Sequence, residues 1–135
     1  MRRQRRGSLL LEASMAVALL ALVFMAVSQL LAVAGRQRRE AQWRWQATLE
    51  AANVLERVMA RPWDELTTDG LAALTLSAQT ARRLPDPRLR VDTQPLPGPP
   101  AAKRIRVRLD WVNLAGDRGQ PVVLVAWKHN IPRPG

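Results

Sequence analysis

Glu12 is the side chain in this sequence most in need of a partner. It stands at the head of an apolar run in which residues 13–34 carry no charge, and the next ionisable group is Arg36. A carboxylate in that setting is costly, by about 2.5 kcal/mol or more at the centre of a bilayer, so it calls for a cation. Just ahead of it lie Gly7-Ser8-Leu9-Leu10-Leu11 and a leader rich in arginine (Arg2, Arg3, Arg5, Arg6). Other chemistry is sparse. The chain has no cysteine, which excludes disulfides and thiolate metal sites, and one histidine, His129, with no partner at ligand spacing. The only serines are Ser8, Ser14, Ser28 and Ser77, three of them in or beside the apolar run, so no hydrolase triad is credible. No glycine loop of the phosphate-cradling type occurs. Asp110 and Asp117 flank a turn, but calcium takes about six to eight oxygen ligands and few are in view. No catalytic group and no cofactor is expected.

The order of basic leader, Gly7, Ser8 and Glu12 resembles the processing signal of type IV prepilins and type II secretion pseudopilins. In that family a prepilin peptidase cuts after the glycine, here Gly7, and the new first residue, here Ser8, is methylated on its amine. The glutamate, here Glu12, stays in the apolar helix and pairs with the terminal amine during filament assembly. A buried carboxylate paired with a freshly exposed amine is physically sound. The first residue after the cut is usually phenylalanine and here is Ser8. Many major pilins carry a helix-kinking proline where this chain has Gln29, which favours a minor pilin or pseudopilin. The resemblance implies a pilin-like α+β fold. Its partners would be the peptidase, sibling pilins, an inner-membrane assembly platform and membrane lipid.

Two plainer explanations compete. A secretory signal has an apolar core of about 7–15 residues ending at a small-residue cleavage site. Residues 13–34 are too many, and Glu12 is misplaced for that class. A single-pass anchor fits better, because 22 residues at about 1.5 Å each span ~33 Å against ~30 Å of hydrocarbon. That explanation leaves Gly7 and Glu12 without a role.

The formal charge is +10 over 135 residues; loss of residues 1–7 removes four arginines and leaves +6 before the new amine is counted. Both flanks of the apolar run are positive, with Arg36, Arg38 and Arg39 just beyond it, so loop charge favours a cytoplasmic N-terminus only weakly. The family's peptidase acts on the cytoplasmic side, and the resemblance therefore sets the leader there and the rest in the periplasm.

One helix is predicted over residues 8–60, about 80 Å long, with a bend allowed at Gly35. Residues 8–34 form its transmembrane half and 35–61 its amphipathic half. In the second half Ala41, Trp45, Leu49, Ala52, Leu55 and Met59 recur every three or four positions, widened by Val54 and Val58. Arg39, Gln46, Glu50, Asn53, Arg57 and Arg61 make the opposing polar face, and Pro62 ends the helix. A small β domain is predicted over 62–135. Residues 49–66 also resemble the helix end and turn of minor pseudopilins. Thr68-Asp69-Gly70 predicts a turn, and 71–83 a short helix or loop. Residues 84–102 hold six of the ten prolines and predict a loop, with a short strand possible at 89–93.

Residues 103–130 predict a terminal hairpin of the kind minor pilins carry. Ile105, Val107, Leu109 and Trp111 alternate with Arg104, Arg106, Arg108 and Asp110, a strand with one apolar face against the helix. Val122, Val123, Leu124 and Val125 predict a second strand partly buried on both faces, after a turn holding Gly116, Asp117 and Gly119. The tail, 132–135, is expected to fray. An exposed row of Arg104, Arg106 and Arg108 admits an alternative function, a DNA-binding minor pilin of an uptake filament, although such rows are more often solvated faces and nucleic acid is not the expected partner. The other alternative is the unprocessed anchor.

Overall fold

The computed structural model describes residues 4–131; residues 1–3 and 132–135, where the tail is expected to fray, lie outside them. Its elements run α1 (Gln4–Met59), a 3-10 turn (Trp63–Glu65), α2 (Thr68–Ala72), α3 (Ala78–Arg83), β1 (Arg88–Leu96), β2 (Ala102–Asp110) and β3 (Val122–His129). The class is α+β, a long N-terminal helix with a small antiparallel sheet, which is the pilin-like arrangement. Two units divide within α1, one ending at Arg39 and the other beginning at Glu40.

In the first unit the helix is apolar on every side, and its leucines, valines and Phe24 are all exposed. It is long and apolar enough to cross a membrane. Helical structure continues through Gly35, so the permitted bend is replaced by regular helix.

The second unit is a sheet laid on one stripe of α1. Ala47, Ala51, Val54 and Val58, spaced four, three and four apart, are wholly buried. They meet Ile105, Val107 and Leu109 of the central strand β2, with Leu66, Leu71, Leu84, Trp111 and Val122 closing the core. Each large aliphatic side chain so buried contributes about 1.5–3 kcal/mol. The stripe differs from the one predicted. Ala41, Trp45 and Leu49 are exposed, whereas Glu50, placed on the polar face, is buried. The inner track pairs two small residues, Ala47 and Ala51, with Val54 and Val58. Trp45 and Leu49 instead line an open cleft with Gln46, Asn53, Gln79 and Arg83.

The sheet order is β1-β2-β3, antiparallel throughout. The short strand expected at 89–93 is present and longer, Arg88–Leu96, so about half of the proline-rich segment is strand while five of its six prolines lie outside it. Pro95 pairs with Lys103 at the sheet's edge, where a residue without an N–H costs no ladder bond on its outer side. Gly98, at φ +120°, turns the short connection into β2. Val123, Val125 and Trp127 correct the expectation for the last strand. They are exposed, because β3 is the other edge and no described element covers that face.

The turn expected at Thr68-Asp69-Gly70 opens α2 instead. The Thr67 hydroxyl accepts from the Gly70 N–H at 3.1 Å, as an N-cap does. Asn113 folds the β2–β3 connection, its Oδ1 accepting from Ala115 and Asp117 N–H groups at 2.9 and 3.0 Å.

The C-terminal end of α1 is closed by the sheet. Lys128 on β3 donates to the Met59 carbonyl at 2.8 Å and to that of Arg61. Lys103 on β2 donates to the Trp63 and Leu66 carbonyls at 3.1 and 2.9 Å and sits 4.6 Å over the Trp63 ring. A helix's last carbonyls lack intrahelical donors and carry partial negative charge, so an ammonium there satisfies both needs.

Candidate processing and assembly site

Gly7, Ser8 and Glu12 lie in the first turns of α1, and Ser8 and Glu12 are four residues apart on one face. The helical rise between them is about 6 Å. All three are exposed. A side chain built at Gly7 would meet nothing within 4 Å, so no packing demand accounts for glycine there. Helix already includes Gly7, one turn earlier than predicted.

Glu12 is the only ionisable side chain from residue 7 to residue 35. It makes no hydrogen bond or ion pair among the described residues. The hydroxyls of the same stretch are satisfied within the helix: Ser14 donates to the Leu10 carbonyl and Ser28 to that of Phe24, each at 2.8 Å. That is how a hydroxyl is accommodated where water is scarce. A carboxylate has no such recourse, since every backbone N–H beyond the first turn is already bonded.

Arg104, Arg106 and Arg108 do share the outer sheet face, but not as a bare basic row. Asp92 stands opposite Arg106 in the register, Gln94 opposite Arg104, and the Arg108 Nε is 3.9 Å from Asp110. Arg104 also donates to Gln94. Asp110 is bound by Arg118, which reaches Asp86 as well. Asp117 turns the adjacent loop through its backbone. Among the described residues no three metal-ligating side chains gather. His129 is exposed at the end of β3.

The buried carboxylate that sequence reasoning missed is Glu50, 5% exposed. Its Oε1 accepts from the Ser77 N–H at 2.7 Å, and its Oε2 from the Ser77 and Thr80 hydroxyls at 2.9 and 3.0 Å. Burial alone would push this carboxyl up. The three hydrogen bonds, with Arg57 at 3.9 Å, outweigh it and hold the group below its ordinary value. Ser77 is at once the N-cap of α3 and the lock on Glu50. The role is structural: it fastens α3 to the helix. The Glu50 carboxylate lies 27 residues before Ser77, so local patterning does not reveal the pair.

Comparison of the chain with protein-family profiles, curated proteins and solved structures finds no match.

Proposed function

We propose that the chain is a minor pilin or pseudopilin. It is processed by a prepilin peptidase and assembled into a type II secretion pseudopilus or type IV pilus-like filament. The observation that carries this is the order Gly7, Ser8, Glu12 at the head of a helix able to cross a membrane. Cleavage after Gly7 frees the Ser8 amine one turn ahead of Glu12, and the ammonium, from the same chain or a neighbour's, supplies the missing cation. Until assembly the subunit is held in the inner membrane, leader in the cytoplasm and sheet-bearing unit in the periplasm. Sibling pilins and the assembly platform are its partners. It is a substrate of enzymes and contributes structure, not catalysis.

Mass spectrometry of the chain from cell envelopes tests this. A start at Ser8 bearing one added methyl group is expected. A start at Met1 in cells with active peptidase overturns it in favour of the unprocessed anchor.

A further inference from the structure

A cavity in the second unit takes no part in the core or in the processing signal. It measures about 530 Å³ and is walled by α1 and α3, a size usual for a small-molecule cleft. Trp45 and Leu49, one turn apart on α1, give it an apolar side; they are 64% and 48% exposed. Gln46, Asn53 and Gln79 add three carboxamides, each able to donate and to accept. The Gln46 Oε1 is buried without a hydrogen-bond partner. That is a cost which a bound N–H or O–H would remove. Glu50 also borders the cleft, but both its oxygens are already engaged by Ser77 and Thr80.

We propose that this cleft binds an N-acetylated hexose unit of a glycan. The negative face of the Trp45 indole suits the row of C–H groups on one side of a pyranose ring. An acetamido group brings what the neighbouring positions lack, an N–H for the Gln46 oxygen and a methyl for Leu49. Asn53 and Gln79 are matching partners for ring hydroxyls, which like carboxamides both donate and accept.

An extended peptide is the other ligand rich in amide N–H groups. Its recognition commonly runs through a strand edge that pairs with the peptide backbone. Both walls of this cleft are helices, so no such ladder is on offer. A wholly apolar ligand fits worse, because it would desolvate the carboxamides and give them nothing to bond. A strong anion would meet a single cation, Arg83, beside the Glu50 carboxylate. The cleft lies entirely within residues 42–83, so the inference stands or falls without the processing signal.

For the test, the full chain is purified in a detergent whose headgroup carries no sugar. It is titrated by calorimetry with the trimer of N-acetylglucosamine. Cellotriose, which has hydroxyls where that trimer has acetamido groups, is the comparison. Saturable binding of the acetylated trimer is expected, about tenfold tighter than that of cellotriose. Trp45→Ala, at an exposed site, should weaken it about tenfold and leave the melting temperature unchanged. Gln46→Leu should remove the preference for the acetylated sugar. Trp127→Ala, an equally accessible tryptophan on the sheet, should bind as the parent does. No saturable heat up to about 10 mM trimer overturns the inference. So does equal affinity for the two sugars, full binding by Trp45→Ala, or loss of binding in Trp127→Ala. Tighter binding of acetylated triglycine than of the trimer overturns it in favour of a peptide.

Discussion

Ser77 donates its backbone N–H to one oxygen of Glu50 across 2.7 Å and its hydroxyl to the other across 2.9 Å. A single carboxylate thus organises the start of α3 and ties it to α1. Replacing Glu50 with alanine leaves the Ser77 donors and the buried Thr80 hydroxyl without this acceptor. Loss of a charged, hydrogen-bonded acceptor of this kind costs about 2–3 kcal/mol. For a unit of this size the melting temperature should fall by roughly 10 °C or more, measured by circular dichroism.

The same carboxylate sets an acid limit. Its folded value lies below the ordinary 4.5, so the unfolded chain takes up the proton first. The stability it contributes is whole above pH 4.5 and drains away as pH falls through the lower folded value. Thermal melts of Glu50→Gln should show less dependence on pH across that acid window than the parent chain, and lower stability at neutral pH.

Lys128→Met and Lys103→Met each remove an ammonium that bridges two backbone carbonyls. A loss of about 1–2 kcal/mol is expected for each, read as a lower urea midpoint with unchanged slope. Arginine at either position should rescue only part of it, because the planar fork does not fit where a compact ammonium bridges two carbonyls.

The inner stripe of α1 can be told from the outer one by opposite substitutions. Ala51→Leu inserts bulk into a closed track and should cost about 1–3 kcal/mol. Leu49→Ala, at a half-exposed site, should cost about 0.5 kcal/mol or less. Equal costs, measured by chemical denaturation, would mean the sheet lies on the other face.

Gly70 and Gly7 make a similar pair. A methyl at Gly70 would lie 2.4 Å from the Glu65 carbonyl oxygen, so Gly70→Ala should destabilise the second unit by about 1–3 kcal/mol. At Gly7 nothing is near, so Gly7→Val should leave melting unchanged while blocking the size shift of leader cleavage. Glu12→Ala should be cut normally yet recover fewer sibling pilins on co-purification from membranes.

The long helix, the β2 strand and its arginine face were legible because period and burial agree there. Ile105, Val107 and Leu109 alternate strictly with Arg104, Arg106 and Arg108, and every member of the first set is buried. The helix stripe misled because hydrophobicity ranks Trp45 and Leu49 above Ala47 and Ala51, while packing against a sheet rewards small residues. Pro95 concealed the full length of β1, since whether a proline is tolerated depends on its being at an edge, a property of the assembled sheet. Glu50 was hidden for the same reason: its partners arrive from a distant segment. The proposed site at Gly7, Ser8 and Glu12 rests on the order of residues within two turns of one helix.

The ammonium that closes α1 belongs to Lys128, 69 residues after the carbonyl it meets at Met59. During synthesis the whole of α1 emerges before the contact that closes it exists. The second unit therefore cannot finish its helix end until β3 has been made. A chain cut short before β3 would present an open helix end and a β2 paired only with β1.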